Sequence, residues 1–274
     1  MNAKRKGNVK KVIITVLENI PFNNEGIWGR KKFKKRTLSE ADYFIAATFD
    51  AKLALIKEGA DEEKISVIGL SVDTSMFFPD KNYISKQKTS KDINILFVGR
   101  IEKFKGVFDV VASFNQVVKK FPDKKISLTL VGKGSEENQL LNKIREYGLD
   151  NKVLLKNVKY GNIPDQYRKA DIFVGPSKED KYWKEQFGMV FAEAMASGLP
   201  VITSASGSIK EVVGKDAFLV KPGNVGEIIK CLSDLIENSA KRIEYSKKSR
   251  KRAEKYLSNK VAADKLDVVY KKLL

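Results

Sequence analysis

The chain has 274 residues, of which 42% are hydrophobic, and a formal net charge of +18 at pH 7. Its length and composition indicate a globular protein with one large or two ordinary domains. With one cysteine, Cys231, and no histidine, the sequence excludes an intrachain disulfide and makes a zinc site or a histidine-based triad hard to build. It contains no run of about 18 apolar residues, and Glu18 follows the basic start too early for a signal peptide. We therefore expect a cytoplasmic protein.

Apolar runs that alternate with amphipathic segments predict nine strands. They are nearly continuous and rich in β-branched residues, which favours strands covered on both faces in a parallel sheet. The sequence therefore predicts an α/β fold. In chain order the runs are KVIITVL, YFIAAT, ISVIGL, INILFVG, ISLTLVG, VLLKNV, DIFVGPS, LPVITSA and AFLVKPG.

A polar stretch divides these runs into two unequal groups. Residues 80–92, DKNYISKQKTSKD, precede the strongest strand and predict an interdomain linker over 81–91. Residues 1–80 hold three predicted strands, about half of a Rossmann-like domain. Residues 92–255 hold enough strands for one complete doubly wound domain.

The positive charge calls for an anionic partner, which could be nucleic acid, an anionic lipid surface or a phosphorylated small molecule. Basic residues concentrate in GRKKFKKR (29–36) and in KKSRKRAEK (247–255). A solvated, lysine-rich surface explains the same composition. Neither cluster carries an aromatic ladder or a recognition-helix pattern, so we expect no nucleic-acid partner.

Cations follow the strand in FVGRIEKFKG, which ends at Gly99. Arg100 and Lys105 then lie at the carboxyl edge of the sheet, where open α/β sheets bind ligands. A guanidinium and an ammonium there suit a phosphate group, although two surface cations beside a turn fit equally. A second turn, LVGKGSEENQL, lacks the third glycine of a dinucleotide fingerprint and by itself indicates only a tight turn.

The stretch WKEQFGMVFAEAMASGLPVI places two glutamates on either side of a helix start. A helix that begins near Phe187 or Gly188 offers free amides to an anion. Glu185 precedes that site, and Glu193 follows it within about 12 Å if the segment is wholly helical. Such a span suits a diphosphate with a sugar on each side. Glu193 is flanked by apolar residues, where a charge without a role would be costly. The alternatives are that Glu185 is a first-turn dipole partner and that Glu193 is a surface residue.

Taken together, EQFGMVFAEAMASGLPVITS, FVGRIEKFKG, LVGKGSEENQL and SASGSIKEVV closely resemble the retaining glycosyltransferases of family 4, or group 1, which have the GT-B architecture. The resemblance extends to residues 40–79 and to LDVVYKKLL, and it covers roughly residues 37–274. It implies that residues 256–274 form a helix that packs back on the N-terminal part.

The resemblance also implies a set of site residues. Arg100 and Lys105 match cations that hold the donor diphosphate, Glu185 matches the glutamate that contacts the donor sugar, and Glu193 matches the ribose-binding glutamate. Gly207 and Glu211 match downstream positions to which we assign packing roles. The positions beside the phosphates are Gly99 and the backbone of Phe187, Gly188, Met189 and Val190.

Enzymes of this family transfer a hexose from a nucleotide sugar with retained configuration and without an obligatory metal. The resemblance therefore implies a UDP-, GDP- or ADP-sugar donor, no cofactor, and a glycan or lipid-linked acceptor in polysaccharide or glycolipid synthesis. A cytoplasmic enzyme that lies peripherally on an anionic membrane would suit the basic surface.

The N-terminal part departs from the family pattern because it has neither the glycine-rich acceptor loop nor a histidine near the reacting centre. We expect a fragment, or a split enzyme whose acceptor domain is completed by a partner chain or by homo-oligomerisation. The alternatives are a non-catalytic nucleotide-sugar-binding subunit and, more remotely, a basic nucleic-acid-binding protein. Trp183 and Tyr182 could line the sugar pocket or anchor their loop.

Overall fold

The computed structural model describes residues 4, 6–23, 26–27, 29–89, 92–180 and 183–274. The strands in these residues form two sheets, and all of their pairings are parallel. The predicted α/β class is confirmed, and each of the nine predicted runs holds a strand. The strands are β1 (Ile13–Val16), β2 (Tyr43–Ala46), β3 (Ile65–Val67), β4 (Asp92–Val98), β5 (Lys125–Val131), β6 (Val153–Lys156), β7 (Ile172–Gly175), β8 (Val201–Ser204) and β9 (Phe218–Val220).

The second sheet is doubly wound. Its strand order is β6-β5-β4-β7-β8-β9, whereas the first sheet has the order β1-β2-β3. The chain therefore moves outward from β4 to β6 and returns on the other side of β4 as β7. Ligands of open α/β sheets bind where the order reverses, outside the carboxyl ends of the strands. The loops after Val98 and Gly175 meet at that point.

Helices cover the sheets because their apolar residues recur every three or four positions, as between Val107 and Val117, and all of those residues are buried. The described helices are α1 (Arg30–Glu40), α2 (Phe49–Lys57), α3 (Tyr83–Thr89), α4 (Val107–Lys120), α5 (Glu137–Glu146), α6 (Ile163–Arg168), α7 (Met189–Ala196), α8 (Ile209–Val213), α9 (Val225–Glu237), α10 (Ser239–Arg252) and α11 (Asn259–Leu273). Helices α4, α5 and α9 pack on one face of the second sheet. The other face packs against α6, α7 and α8.

The interval expected as an interdomain linker contains helix α3, while residues 90–91 lie outside the described residues. Tyr83 and Gln87, one helical turn apart, are both buried. The Tyr83 hydroxyl donates to the Asp171 carbonyl over 2.9 Å, and Gln87 donates to the Asp171 carboxylate. The segment therefore packs against the second sheet through Tyr83 and Gln87. Its largely polar composition did not indicate this buried face.

The C-terminal segment returns to the first sheet. The backbone of Ser258 bridges that of Val72, and α11 follows directly. Val269 of α11 is buried with Tyr43, Ile45 and Ile68, so the helix covers the face of the first sheet opposite α2. Within the described ranges, no helix combines the length and the apolar content that crossing a membrane requires.

Candidate functional site

Two adjoining cavities lie where the strand order of the second sheet reverses. Lys105 and Glu185 line both of them. The first has a volume of about 190 Å³, and its walls include Gly99, Lys105, Ser177, Glu185, Gly188, Met189 and Val190. The second has a volume of about 210 Å³ and is lined by Arg100 and Trp183 together with Glu18, Ile20 and Asn23 from the side of the first sheet. The site therefore lies between the two sheets.

Lys105 reaches the cavities because the loops after β4 and β7 approach each other closely. Gly106 has a φ of +73°, and a Cβ there would lie 2.1 Å from the Pro176 carbonyl oxygen. This contact requires glycine, and it presses the turn that carries Lys105 against the loop after β7. Lys105 Nζ lies 2.7 Å from Glu185 Oε2, which also accepts from Ser177 Oγ over 3.2 Å. A cation and a carboxylate thus face each other at the cavity wall.

An aromatic pair lies between the two cations. The rings of Phe104 and Trp183 have centroids 4.5 Å apart. The Arg100 guanidinium lies 4.6 Å from the Phe104 ring, and Lys105 Nζ lies 4.8 Å from the Trp183 ring. Cation–π attraction holds each cation against a ring. Tyr182, the neighbour of Trp183, lies outside the described residues.

Replacing Trp183 by leucine is expected to weaken binding of the nucleoside diphosphate that the resemblance implies by about tenfold, because the cation–π and ring contacts that orient Lys105 are together worth about 1–2 kcal/mol. Trp183→Phe keeps a ring and should lose less. Calorimetric titration of the two variants with UDP, GDP and ADP, the nucleotides of the expected donors, measures the difference. Equal affinity of Trp183→Leu and the parent chain would contradict this role.

The backbone of Glu185 is held from several sides. Its carbonyl oxygen accepts from Asn19 Nδ2 over 2.9 Å and from the Ser208 amide over 3.1 Å. Gly207, with a φ of +48°, packs so closely that a Cβ would lie 2.2 Å from the same oxygen. Asn19 comes from the segment after β1, 166 residues away in sequence. Nothing in the sequence around Asn19 indicated this contact.

Glu211 also joins the two parts of the chain. Its carboxylate accepts from the amides of Phe49 over 2.7 Å and Asp50 over 3.3 Å at the start of α2. A carboxylate satisfies free amides at a helix N-terminus and complements the helix dipole. Burial nevertheless raises the pKa of Glu211. The structure therefore gives Glu211 a contact with the N-terminal part of the chain, and Gly207 a contact with Glu185.

Helix α7 begins at Met189, slightly later than the expected start near Phe187 or Gly188. Gly188 precedes it with a φ of +84°, and no side chain caps the helix. Its first amides are therefore available to an anion. Gly188, Met189 and Val190 line the first cavity. The Phe187 side chain is buried instead, next to Gly69.

Glu193 lies outside the residues that line the two cavities. Its side chain is buried, and it accepts hydrogen bonds from Tyr167 over 2.9 Å and from the partly exposed Tyr160 over 3.3 Å. Burial raises the pKa of Glu193, and the two tyrosine hydrogen bonds oppose that effect. The structure thus gathers Gly99, Arg100, Lys105, Glu185 and the start of α7, whereas Glu193 faces the tyrosines. Its ribose-binding role stays a prediction.

Replacing Tyr167 by phenylalanine is expected to lower the free energy of unfolding by about 1–3 kcal/mol near neutral pH, because a buried carboxylate loses a donor. Because the pKa of Glu193 is raised in the native state, at pH values between the ordinary and the raised pKa the native state keeps a proton that the unfolded state has lost. Stability therefore falls as pH rises from the ordinary glutamate pKa through the raised native one.

The Tyr167→Phe change removes a bond that lowers this pKa, so it extends that pH window upward. Urea unfolding at about pH 4 and pH 8 should show the smaller loss at the lower pH, because pH 4 lies below the ordinary glutamate pKa and the Glu193 carboxyl is mostly protonated in both states. Tyr270→Phe, at an exposed position, serves as the control. A loss independent of pH would contradict the assigned role of the carboxylate.

Solved structures share this fold. HepE of Anabaena in complex with UDP superposes with a TM-score of 0.80 and 19% identity, over 96% of this chain and 72% of that chain. The C-terminal domain of LpcC, a glycosyl transferase group 1 family protein of Francisella tularensis, gives a TM-score of 0.59 and 27% identity, over 69% of this chain and 99% of that domain. The expected GT-B type of fold is confirmed.

Curated relatives match a large part of the chain. The capsular polysaccharide biosynthesis glycosyltransferase CapM of Staphylococcus aureus is 30% identical over 227 residues, which are 78% of this chain and 57% of CapM. Spore coat protein SA of Bacillus subtilis is 31% identical over 188 residues, or 65% of this chain and 48% of that protein. The chain spans about half to three-fifths of the length of these relatives.

The sequence profile described as glycosyl transferases group 1 matches residues 80–252. This range contains β4 to β9, both loops at the cavities and the start of α7. The match covers well over half of the chain and includes Arg100, Lys105 and Glu185. The chain belongs to the group 1 glycosyl transferases.

Proposed function

We propose that the chain is the donor-binding and catalytic part of a retaining, family 4 glycosyltransferase that transfers a hexose from a nucleotide-diphosphate sugar. The observation that carries this proposal is the convergence of Arg100, Lys105 and the uncapped start of α7 on cavities that Glu185 also lines. Two cations and free helix amides suit a diphosphate, and a carboxylate suits sugar hydroxyls.

The proposed catalysis is electrostatic. As the bond between sugar and diphosphate lengthens, negative charge grows on the leaving phosphate, where Arg100, Lys105 and the amides of α7 stabilise it. Glu185 is held in place before reaction. Its carboxylate pairs with Lys105, and its backbone carbonyl accepts a hydrogen bond from Asn19. Such preorganised groups need little rearrangement when charge develops. Glu185 would orient the sugar and offset its positive charge, and no metal or cofactor is required for either role.

Relatives and structural neighbours support the choice of substrates to test. HepE has been solved in complex with UDP and with UDP-glucose, which makes UDP-sugars the first donors to try. CapM is named for capsular polysaccharide synthesis, and other relatives are named D-inositol 3-phosphate glycosyltransferases. We propose a glycan or lipid-linked acceptor.

Calorimetric titration with UDP-, GDP- and ADP-sugars tests the donor site without an acceptor. One nucleotide class is expected to bind, and release of that nucleotide should rise when an acceptor is added. Binding without turnover would favour the non-catalytic subunit. Failure of all donors to bind a folded chain would contradict the proposal.

We also propose that α1 places the protein on an anionic membrane surface. None of its described residues is buried, and its sequence RKKFKKRTLSE carries six cations. Phe33 is 70% exposed, and Ile27 just before the helix is 49% exposed. Apolar residues among surrounding cations fit the interface of an anionic bilayer.

Replacing Lys32 and Lys35 together by glutamine should weaken binding to phosphatidylglycerol vesicles by about thirtyfold, since each cation contributes about 1 kcal/mol near such a surface. Vesicle sedimentation measures the change. The double change at Lys119 and Lys120, on α4, alters the net charge equally and should have little effect. Binding that resists high salt would contradict an electrostatic attachment.

A further inference from the structure

A third cavity, apart from the two at Lys105 and Glu185, lies on a face of the second sheet that helices leave partly open. Parallel sheets are usually covered on both faces. Helices α4 and α5 cover one face of β5 and β6, and Leu154 and Lys156 of β6 pair with Thr129 and Val131 of β5 on the other. There Leu154 is 54% exposed, so the helix layer stops short of the edge strand.

The opening holds a cavity of about 440 Å³. Its lining includes Thr129, Lys156 and Asn94. The side-chain oxygen of Asn94 accepts a hydrogen bond from Ser127, so its amide nitrogen is left to donate to a ligand. Its lining reaches Ile95 and Leu96 in the middle of β4, and none of its lining residues lines either of the cavities at Lys105 and Glu185. It is therefore separate from the cavities at the carboxyl end of the sheet.

The lining of this cavity is strongly cationic. It includes Lys86, Lys156, Arg168 and Lys169 but only one carboxylate, Asp80, which accepts from the Asn82 amide. Lys86 forms an ion pair with buried Asp171 over 3.2 Å. Arg168 pairs with Asp165.

The two remaining ammonium groups, on Lys156 and Lys169, have no carboxylate partner among the described residues. Burial, and secondarily the charge of Lys169, lowers the pKa of Lys156. A partly buried ammonium beside a like charge is unfavourable alone, and a bound anion would relieve both effects.

We propose that this cavity binds a small phosphorylated molecule through Lys156 and Lys169, at a site separate from the nucleotide-sugar site. Two ammonium groups suit a doubly charged phosphate, and the Thr129 hydroxyl and the Asn94 amide provide further donors. A volume of about 440 Å³ accommodates a ligand larger than phosphate alone. The site does not depend on the chain being a glycosyltransferase.

Calorimetric titration with inorganic phosphate and pyrophosphate, in the presence of saturating UDP, tests the proposal. The parent chain is expected to bind pyrophosphate, and the Lys156→Met, Lys169→Met double variant should bind it at least about tenfold more weakly. Methionine keeps the length and packing of the lysine stem. Lys119→Met with Lys120→Met is the matched control, because both lysines lie on exposed positions of α4.

The proposal would be overturned if the double variant bound pyrophosphate as tightly as the parent chain, or if the control variant lost as much affinity as the double variant. It would also be overturned if saturating UDP abolished all binding of phosphate and pyrophosphate to the parent chain. Lys156→Arg should retain most of the affinity because the charge remains. Lys169→Met alone changes an exposed residue, so it keeps the test valid if the double variant is unstable. If UDP does not bind, the titration without UDP is repeated in a Lys105→Met background.

Discussion

Replacing Lys105 by methionine should lower the rate of sugar transfer by about 10²–10³-fold, because removing one preorganised donor from a developing oxyanion costs about 3–4 kcal/mol. Methionine keeps an unbranched stem that can pack against Trp183. It removes the only ammonium within hydrogen-bond distance of the Glu185 carboxylate in the described residues. Donor binding should weaken as well, and calorimetry measures that loss without an acceptor.

Lys103 provides the matched control for Lys105. It lies in the same short helical turn, is 61% exposed and pairs with Glu136 over 3.1 Å. It does not line either of the two cavities that Lys105 and Glu185 share. Lys103→Met should therefore leave donor affinity and transfer nearly unchanged. Similar losses in the two variants would indicate a general effect of surface charge and would contradict a specific role for Lys105.

Lys105 is also paired with a carboxylate, and this pairing affects how the experiment is read. Its removal leaves partly buried Glu185 with Ser177 as its remaining side-chain partner. Truncating one partner of such a pair costs stability as well as function. Urea unfolding of both lysine variants separates the two effects. If the loss in binding free energy for the donor exceeds the loss in free energy of unfolding, the excess reports a direct role of the side chain in the site.

The sequence predicted the sheets well because buried parallel strands need nearly continuous apolar residues. Runs such as INILFVG are too short for typical helices and end in glycine, so their type and order were readable. The strand endings then placed Gly99, Arg100 and Lys105 at the carboxyl edge. The apolar run between Phe187 and Ala196 correctly predicted a helix that begins between Glu185 and Glu193, because such a run depends on local structure alone.

What the sequence could not provide depends on packing between distant segments. Glu193 lies on α7 as expected, but its direction is set by Tyr167 on α6, which packs beside it. Asn19 contacts the Glu185 carbonyl across the gap between the sheets. The periodicity of the local sequence predicts neither contact. Helix α3 was missed for a related reason, since Tyr83 and Gln87 form its buried face within an otherwise polar stretch.

Replacing Gly207 by alanine should lower donor affinity and transfer by about a hundredfold, a loss typical of a displacement of about 1 Å at a catalytic group. The added Cβ would lie 2.2 Å from the Glu185 carbonyl oxygen and 3.0 Å from its nitrogen. Backbone atoms cannot yield as a flexible side chain can. Glu185 must therefore shift, and the carbonyl must give up its present geometry with Asn19 and Ser208.

Gly223 separates this displacement from the cost of the backbone conformation itself. Both glycines have positive φ, +48° at Gly207 and +76° at Gly223, but a Cβ at Gly223 would meet nothing within 4 Å. Each alanine pays about 1–2 kcal/mol for the left-handed conformation, so both variants should lose stability in urea. Only Gly207→Ala should also lose donor affinity in calorimetry. If the two variants bind donor equally well, the position of the Glu185 backbone does not control the site, and its side chain adapts to the shift.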